Sequence, residues 1–226
     1  MTARAGPNRI ATGLVLVAIT LLVALGVWQL QRRTWKLALI AQTERQLHSP
    51  PVAAPPPGTA IGPDDAYKPL LATGRYRTGA DTYVQAVTDF GGGYWVVTPL
   101  DTDRGFTILV NRGFVPAELR GKAAPSPSAQ TVRGLLRLTE PGGGFLRHND
   151  PAGGRWYSRD VAAIAAAKRV GNVAPYFIDA SGPTAGWPRG GLTVVRFHNS
   201  HLVYALTWFG LALLVGVMAW RVRKRE

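Results

Sequence analysis

The chain has no cysteine among its 226 residues. That excludes disulfides, Cys-x-x-Cys redox chemistry, covalent c-type haem attachment and thiolate zinc or copper sites. Histidine and methionine are scarce as well, four and two, which argues against a copper carrier. Catalytic signatures are missing too: there is no Gly-x-Ser-x-Gly, no His-Glu-x-x-His, no phosphate loop and no carboxylate pair at a suggestive spacing. The remaining Ser, Thr and Asp fall at turns and helix starts, where capping accounts for them. An enzyme is therefore not expected.

Fixed charge is absent from two long stretches. None occurs between Ile10 and Gln31, and none from Phe197 to Trp220 apart from His198 and His201. Crossing a bilayer core of about 30 Å takes roughly 20 helical residues, so each stretch can span. A soluble helix would meet an exposed charge well before that length. A cleaved signal peptide competes for the first stretch, since Arg4 and Arg9 precede it and Ala24-Leu25-Gly26 offers a small-x-small site. The run is long for a signal, and Trp28 and Trp35 stand at its end like interfacial anchors. We read it as an uncleaved anchor.

Between the spans, 20 Lys and Arg face 12 Asp and Glu. No basic stripe interleaved with stacking aromatics accompanies this excess, so nucleic acid is not an expected partner. Attraction to anionic lipid head groups is the plainer consequence, and the lipid bilayer is the expected environment. Six basic residues lie in the two termini and six flank the central segment, so charge counting alone leaves the orientation open. The Arg221–Arg225 cluster is the densest and resists translocation, whereas long loops cross regardless of charge. Both termini are accordingly placed in the cytoplasm and the central domain outside.

The expected organisation is a cytoplasmic N-terminus (1–9), a first membrane helix (10–31), its helical extension (32–49), a Pro-rich connector (50–66), an extracytoplasmic domain (67–198), a second membrane helix (199–220) and a basic cytoplasmic tail (221–226). No breaker interrupts the helical pattern after Trp28 until Ser49-Pro50-Pro51, so the extension runs to about Leu47. The connector is read as stiff and patternless. Candidate strands are Lys68–Arg75, Asp81–Val87, Tyr94–Leu100, Phe106–Phe114, Thr131–Leu138, Pro175–Ala180 and Leu192–Phe197, with a hairpin turn at Asp101–Gly105. Ser158 is the expected cap of a helix from Arg159 to about Val170, with Gly171 as its left-handed stop. The fold class is thus two transmembrane helices flanking an α+β extracytoplasmic domain, mainly antiparallel β with one or two helices. A partly closed barrel is one architecture for it.

Taken in order, several motifs resemble one family over nearly the whole chain. They are Gly26-Val27-Trp28-Gln29-Leu30-Gln31-Arg32-Arg33-Thr34-Trp35-Lys36; Val96-Val97-Thr98-Pro99-Leu100; and Ile108-Leu109-Val110-Asn111-Arg112-Gly113-Phe114-Val115-Pro116. Arg133-Gly134, Arg137-Leu138-Thr139-Glu140 and Trp156-Tyr157-Ser158-Arg159-Asp160 follow. The last is His201-Leu202-x-Tyr204-x-x-Thr207-Trp208-Phe209. Each alone is weak, but in this order between two spans they are similar to the surfeit locus family. The stretch between Tyr83 and Tyr94 is short beside eukaryotic members.

The resemblance implies a membrane assembly factor for haem–copper cytochrome c oxidase, handling haem a or stabilising the catalytic subunit while haem is inserted. The oxidase catalytic subunit and the haem a synthesis machinery are the implied partners. Eukaryotic members carry a mitochondrial presequence, and nine residues before the first span are too few for one, so a bacterial plasma membrane is expected. A cofactor-free scaffold for oxidase subunits is the alternative, and a membrane-tethered hydrolase a distant third.

In that light His201 is the candidate ligand for haem iron. Tyr204, Ala205 and Trp208 follow it at i+3, i+4 and i+7 on one helical face, with a ring-sized hollow expected over Ala205. The competing reading is an interfacial His among aromatic-belt neighbours. Trp28, Arg32 and Trp35 form one stripe on the first helix, and Gln29, Arg33 and Lys36 the next. Arg32 and Arg33 suit anionic propionates, and interfacial snorkelling explains them equally. His198 is the reserve ligand, and loop solvation explains His48 and His148. Asn111-Arg112-Gly113 is favoured as structural, with Gly113 at positive φ.

Overall fold

The computed structural model describes residues 9–122, 124–144, 146–193 and 199–225. The chain forms two compact units, a pair of long helices and a central β-rich domain.

The first helix, α1, runs Arg9–Leu47 without a break. Gly and Thr are tolerated within it because every backbone bond is made inside the helix. It stops at the expected place: Ser49 Oγ donates to the Gln46 carbonyl at 2.7 Å, and Pro50-Pro51 cannot continue the ladder. The connector beyond is less bare than its composition suggests. Strand β1 (Val52–Ala53) pairs in parallel with β2 (Pro69–Tyr76). Ala54 is buried, Arg104 Nη1 donates to its carbonyl at 2.7 Å, and the Tyr176 hydroxyl donates to the Pro55 carbonyl at 2.7 Å. Side-chain periodicity could not reveal this, because the contacts use backbone oxygens.

The domain continues with β3 (Thr82–Thr88), β4 (Gly91–Thr102), β5 (Thr107–Pro116), β6 (Gln130–Leu138), helix α2 (Val161–Ala167) and β7 (Val173–Ala180). Sheet order is β1-β2-β6-β7-β5-β4-β3, and a further β2–β4 pairing joins its ends. Strands β2, β6, β7, β5 and β4 therefore close a five-stranded barrel, with β1 and β3 outside it. All pairings within the barrel are antiparallel except β5–β7. Closure depends on Gly74, where a Cβ would fall 2.3 Å from the Asp101 carbonyl oxygen. Any larger residue would hold β2 away from β4.

Burial in β2 alternates, with Leu70, Ala72 and Tyr76 turned inward. Strand β5 is buried on both faces. Ile108 and Val110 enter the barrel core beside Leu100, Leu136 and Ile178, while Leu109 packs outward with Phe177 against Trp156, Val161 and Ile164. Helix α2 covers that outer face, so β5 reads as a continuous apolar run rather than an alternating one.

Two boundaries differ from expectation. Asp160, not Ser158, caps α2, its Oδ1 accepting from the Ala163 amide at 3.1 Å. Ser158 is occupied instead by Gly143 N and Asn149 Nδ2. The helix ends at Ala167, and the left-handed residue is Arg169 (φ 53) rather than Gly171. Arg169 N reaches the Ala166 carbonyl and Val170 N the Ala165 carbonyl, a complete Schellman closure formed without glycine. Of the expected seventh strand, Leu192 and Thr193 are not in a strand, and 194–197 lie outside the described residues, as does His198.

Helix α3 spans His201–Arg225, and α-helices number three among the described residues. Both α1 and α3 are long and apolar enough to cross a membrane, and little of either span is buried within the protein. In the helix pair His201 meets Gln29, Phe209 meets Gly26, and Gly216 meets Ile19, so the two run antiparallel.

Candidate functional site

The buried face of α3 is set by small residues: Ala205 has no exposed surface and Ala212 almost none. On α1 the matching position is Gly26, where a Cβ would lie 2.5 Å from a Phe209 ring carbon. Small residues let the backbones approach, which is how apolar helices associate where water offers no driving force. His201 opens this face at the first turn of α3.

Its Nδ1 lies 2.8 Å from Oε1 of Gln29 on α1. An amide oxygen can only accept, so in this arrangement Nδ1 is the donor, and in the neutral imidazole tautomer that matches it Nε2 keeps a lone pair. A ligating histidine needs that state: one nitrogen held by a partner, the other free to donate to a metal.

The other candidates divide. Arg33, half-buried, continues the face from Gln29 one turn on. Trp28, Arg32 and Trp35 are exposed, and the Arg32 guanidinium stacks 4.1 Å over the Trp35 ring. Tyr204 is exposed and Trp208 half-exposed. Ala205, over which a hollow was expected, has no exposed surface. A flat ring held by His201 Nε2 would have to rest towards Tyr204 and Trp208. Gln29 is the residue whose role the sequence reading missed. Its signal was present: one amide amid Gly26-Val27-Trp28-Gln29-Leu30 at the edge of an apolar span, where a polar side chain needs a partner.

The motif residues of the barrel serve a different end. Asp179 on β7 is buried and accepts from Asn111 Nδ2 (2.8 Å), Arg137 Nη1 (2.7 Å), Arg159 Nη1 (3.2 Å) and Thr193 Oγ1 (2.9 Å). Glu140 holds Arg159 from the other side at 2.6 Å. Burial alone would lower the Arg159 pKa, but the Glu140 hydrogen bonds and the charges of Asp179 and Glu140 outweigh it and raise it. Thr139 Oγ1 accepts from the Val161 amide, fastening the start of α2. Asn111 also accepts from the Gly113 amide, and Gly113 (φ 127) lets the Arg189 carbonyl approach to where a Cβ would be. The structural role expected for this segment is what the contacts describe. Gly113 acts within β5 rather than in a turn, and Phe114 and Arg189 exchange both backbone hydrogen bonds beside it.

These motifs, spread over both units, are what a comparison with known proteins can weigh. The profile of the SURF1 family matches residues 16–213. The chain belongs to the SURF1 family. Surfeit locus protein 1 of Rattus norvegicus is 36% identical over 222 residues, covering 87% of this chain and 70% of that protein. The Homo sapiens protein of that name is 36% identical over 223 residues, covering 88% and 72%. The one from Takifugu rubripes is 32% identical over 218 residues, covering 86% and 89%. The SURF1 match takes in both helices as well as the barrel.

Proposed function

We propose that this SURF1 family member is a membrane assembly factor for cytochrome c oxidase, the role for which the family is known, and that its helix pair handles haem a on the way to the catalytic subunit. The observation that carries the haem reading is the His201 Nδ1 to Gln29 Oε1 hydrogen bond, which in the neutral imidazole leaves Nε2 as a lone-pair donor. Haem would bring an iron that accepts this nitrogen and propionates that suit Arg33 and Arg32. Within the chain, Gln29 orients the imidazole and the tight packing at Gly26 and Ala205 fixes both helices around it. The oxidase catalytic subunit and the haem a synthesis machinery are the partners this reading requires. The Arg221–Arg225 cluster supports an orientation with both termini in the cytoplasm.

A second reading, a cofactor-free scaffold for oxidase subunits, is favoured by the complete burial of Ala205, which leaves that residue no free surface for a ring to rest on. A visible spectrum of protein purified after co-expression with haem a synthesis separates them. Haem handling predicts a Soret band that His201→Ala abolishes or shifts and His148→Ala leaves intact. Wild-type protein without haem, despite ample supply, would favour the scaffold.

A further inference from the structure

The barrel has an open mouth that the motif network does not use. The end of β2, the start of β6 and the end of β7 converge there, because β2 and β6 run antiparallel with Gly74 opposite Gln130, and β6 and β7 antiparallel with Gly134 opposite Ala180. The segments around 125–128 and 181–188 rise beside these ends. They enclose a cavity of about 530 Å³, the size of a small-molecule site.

Its lining is polar and one-signed. Arg112 and Arg133 contribute cations, Tyr76, Ser126 and Gln130 contribute uncharged polar groups, and Trp187 contributes a flat wall. No described lining residue is acidic. Asp81 stands behind Arg112, its Oδ1 3.8 Å from Nη1, so Arg112 is partly balanced. The Arg133 guanidinium has no ion-pair or hydrogen-bond partner among the described residues, although its carbonyl is held by the Ser181 amide.

Tyr76 adds a donor to the same opening. It is 8% exposed, yet its hydroxyl has no hydrogen-bond partner among the described residues. Burial pushes its pKa from 10 to about 12, with Arg112 pulling the other way, so it stays a neutral donor at ordinary pH. The ring is buried but the hydroxyl meets solvent at the cavity, where it can donate to an acceptor that enters.

We propose that the barrel mouth binds a small organic anion, a carboxylate or phosphate monoester, whose oxygens accept from Arg133 and Tyr76 in the field of Arg112 while its body rests against Trp187. This inference goes beyond the haem reading and does not depend on it. The anion could be a soluble metabolite or the head group of an anionic lipid, and both present the same chemistry.

Calorimetric titration of the full chain in neutral detergent tests it with phenyl phosphate, benzoate, short-chain phosphatidylglycerol and neutral benzyl alcohol. At least one anion should saturate a single site and protect the amides around 125–133 and 181–188 from exchange. Arg133→Gln, an exposed position safe for folding, should weaken it about tenfold or more, the loss expected for one charge-assisted contact. Tyr76→Phe should weaken it a few-fold with no loss of thermal stability. Binding of the free anions assigns a soluble ligand, and binding of the lipid alone assigns a head group. The proposal is overturned if none of the anions saturates, if benzyl alcohol binds equally well, or if Arg133→Gln leaves affinity unchanged.

Discussion

The barrel and the helix pair use polar residues in opposite ways. Inside the barrel domain, Asp179, Arg137, Arg159, Glu140 and Asn111 satisfy one another in a closed network, and the apolar side chains of β5 are buried on both faces. In the helix pair, leucines such as Leu14 and Leu213 stand two-thirds exposed, and His201 makes a polar contact to Gln29 across the two helices. The difference follows from solvent. A domain in water hides apolar surface and must partner every polar group it buries. A helix pair in lipid has no apolar surface to hide, so close packing at Gly26 and a polar contact such as His201 to Gln29 set its geometry.

The contrast is broken most severely at Asp179. Asp179→Ala leaves two half-buried guanidiniums, still held by Glu140, and the buried Asn111 amide without their shared acceptor, and we expect a loss of about 3 kcal/mol. Chemical unfolding of the full chain in detergent, followed by near-ultraviolet dichroism of the domain's aromatic residues, would measure it. A loss below about 1 kcal/mol would mean that the network is screened by water and contributes little. Gly113→Ala comes next. A methyl group there meets the Arg189 carbonyl at 2.1 Å, in a left-handed conformation that alanine resists. The expected cost is about 1–3 kcal/mol, with faster exchange of the Phe114 and Arg189 amides. Neither change should alter the packing of α1 against α3.

A pH titration sharpens the same contrast. Burial raises the pKa of Tyr76 to about 12. A raised folded-state pKa means that the stabilisation is complete below the unfolded value of 10 and is lost as pH rises through 12. Domain stability should therefore fall between these values, with Tyr76 contributing at most about 2–3 kcal/mol. Tyr76→Phe should flatten part of the slope. The rest belongs to Tyr83 and Tyr176, which burial raises as well. An unchanged slope in Tyr76→Phe would show that the ring is wetter than its position implies.

Much of this was legible in the sequence, for reasons that differ by region. Six of the seven candidate strands lie within a residue or three of their observed bounds, because one buried face gives β2 and β6 a period of two and two buried faces give β5 its continuous apolar run. Strand β1 was invisible, since its two residues are exposed and it is held by backbone pairing. Barrel closure depends on which strands meet, and Gly74 records that only once Asp101 is known to lie opposite. Asp160 outcompeted Ser158 as the helix cap because Ser158 already served Gly143 and Asn149, contacts distant in sequence. At the candidate site the sequence singled out His201 and the segment of α1 that lies beside it, but helical spacing alone could not rank the Gln29 stripe above the Trp28 one.

Gln29 supplies the smallest expected change in stability and the most informative. Hydrogen bonds between membrane helices average about 0.6 kcal/mol, because partners separated within a bilayer still find other acceptors. Gln29→Leu should therefore loosen the helix pair only slightly while leaving the barrel untouched. The cysteine-free background allows label pairs at Ala11 and Ala219, and energy transfer between them during a detergent titration would report helix separation. If His201 Nε2 serves as a ligand, the same variant should disturb bound haem far more than it disturbs the helices. Without its acceptor the imidazole can turn, or move its proton to Nε2, and the Soret band should shift or weaken. A spectrum unchanged in Gln29→Leu but lost in His201→Ala would keep the ligand and remove the role of its partner. A helix pair that falls apart in Gln29→Leu would mean that one amide, rather than the packing at Gly26 and Ala205, holds the two spans together.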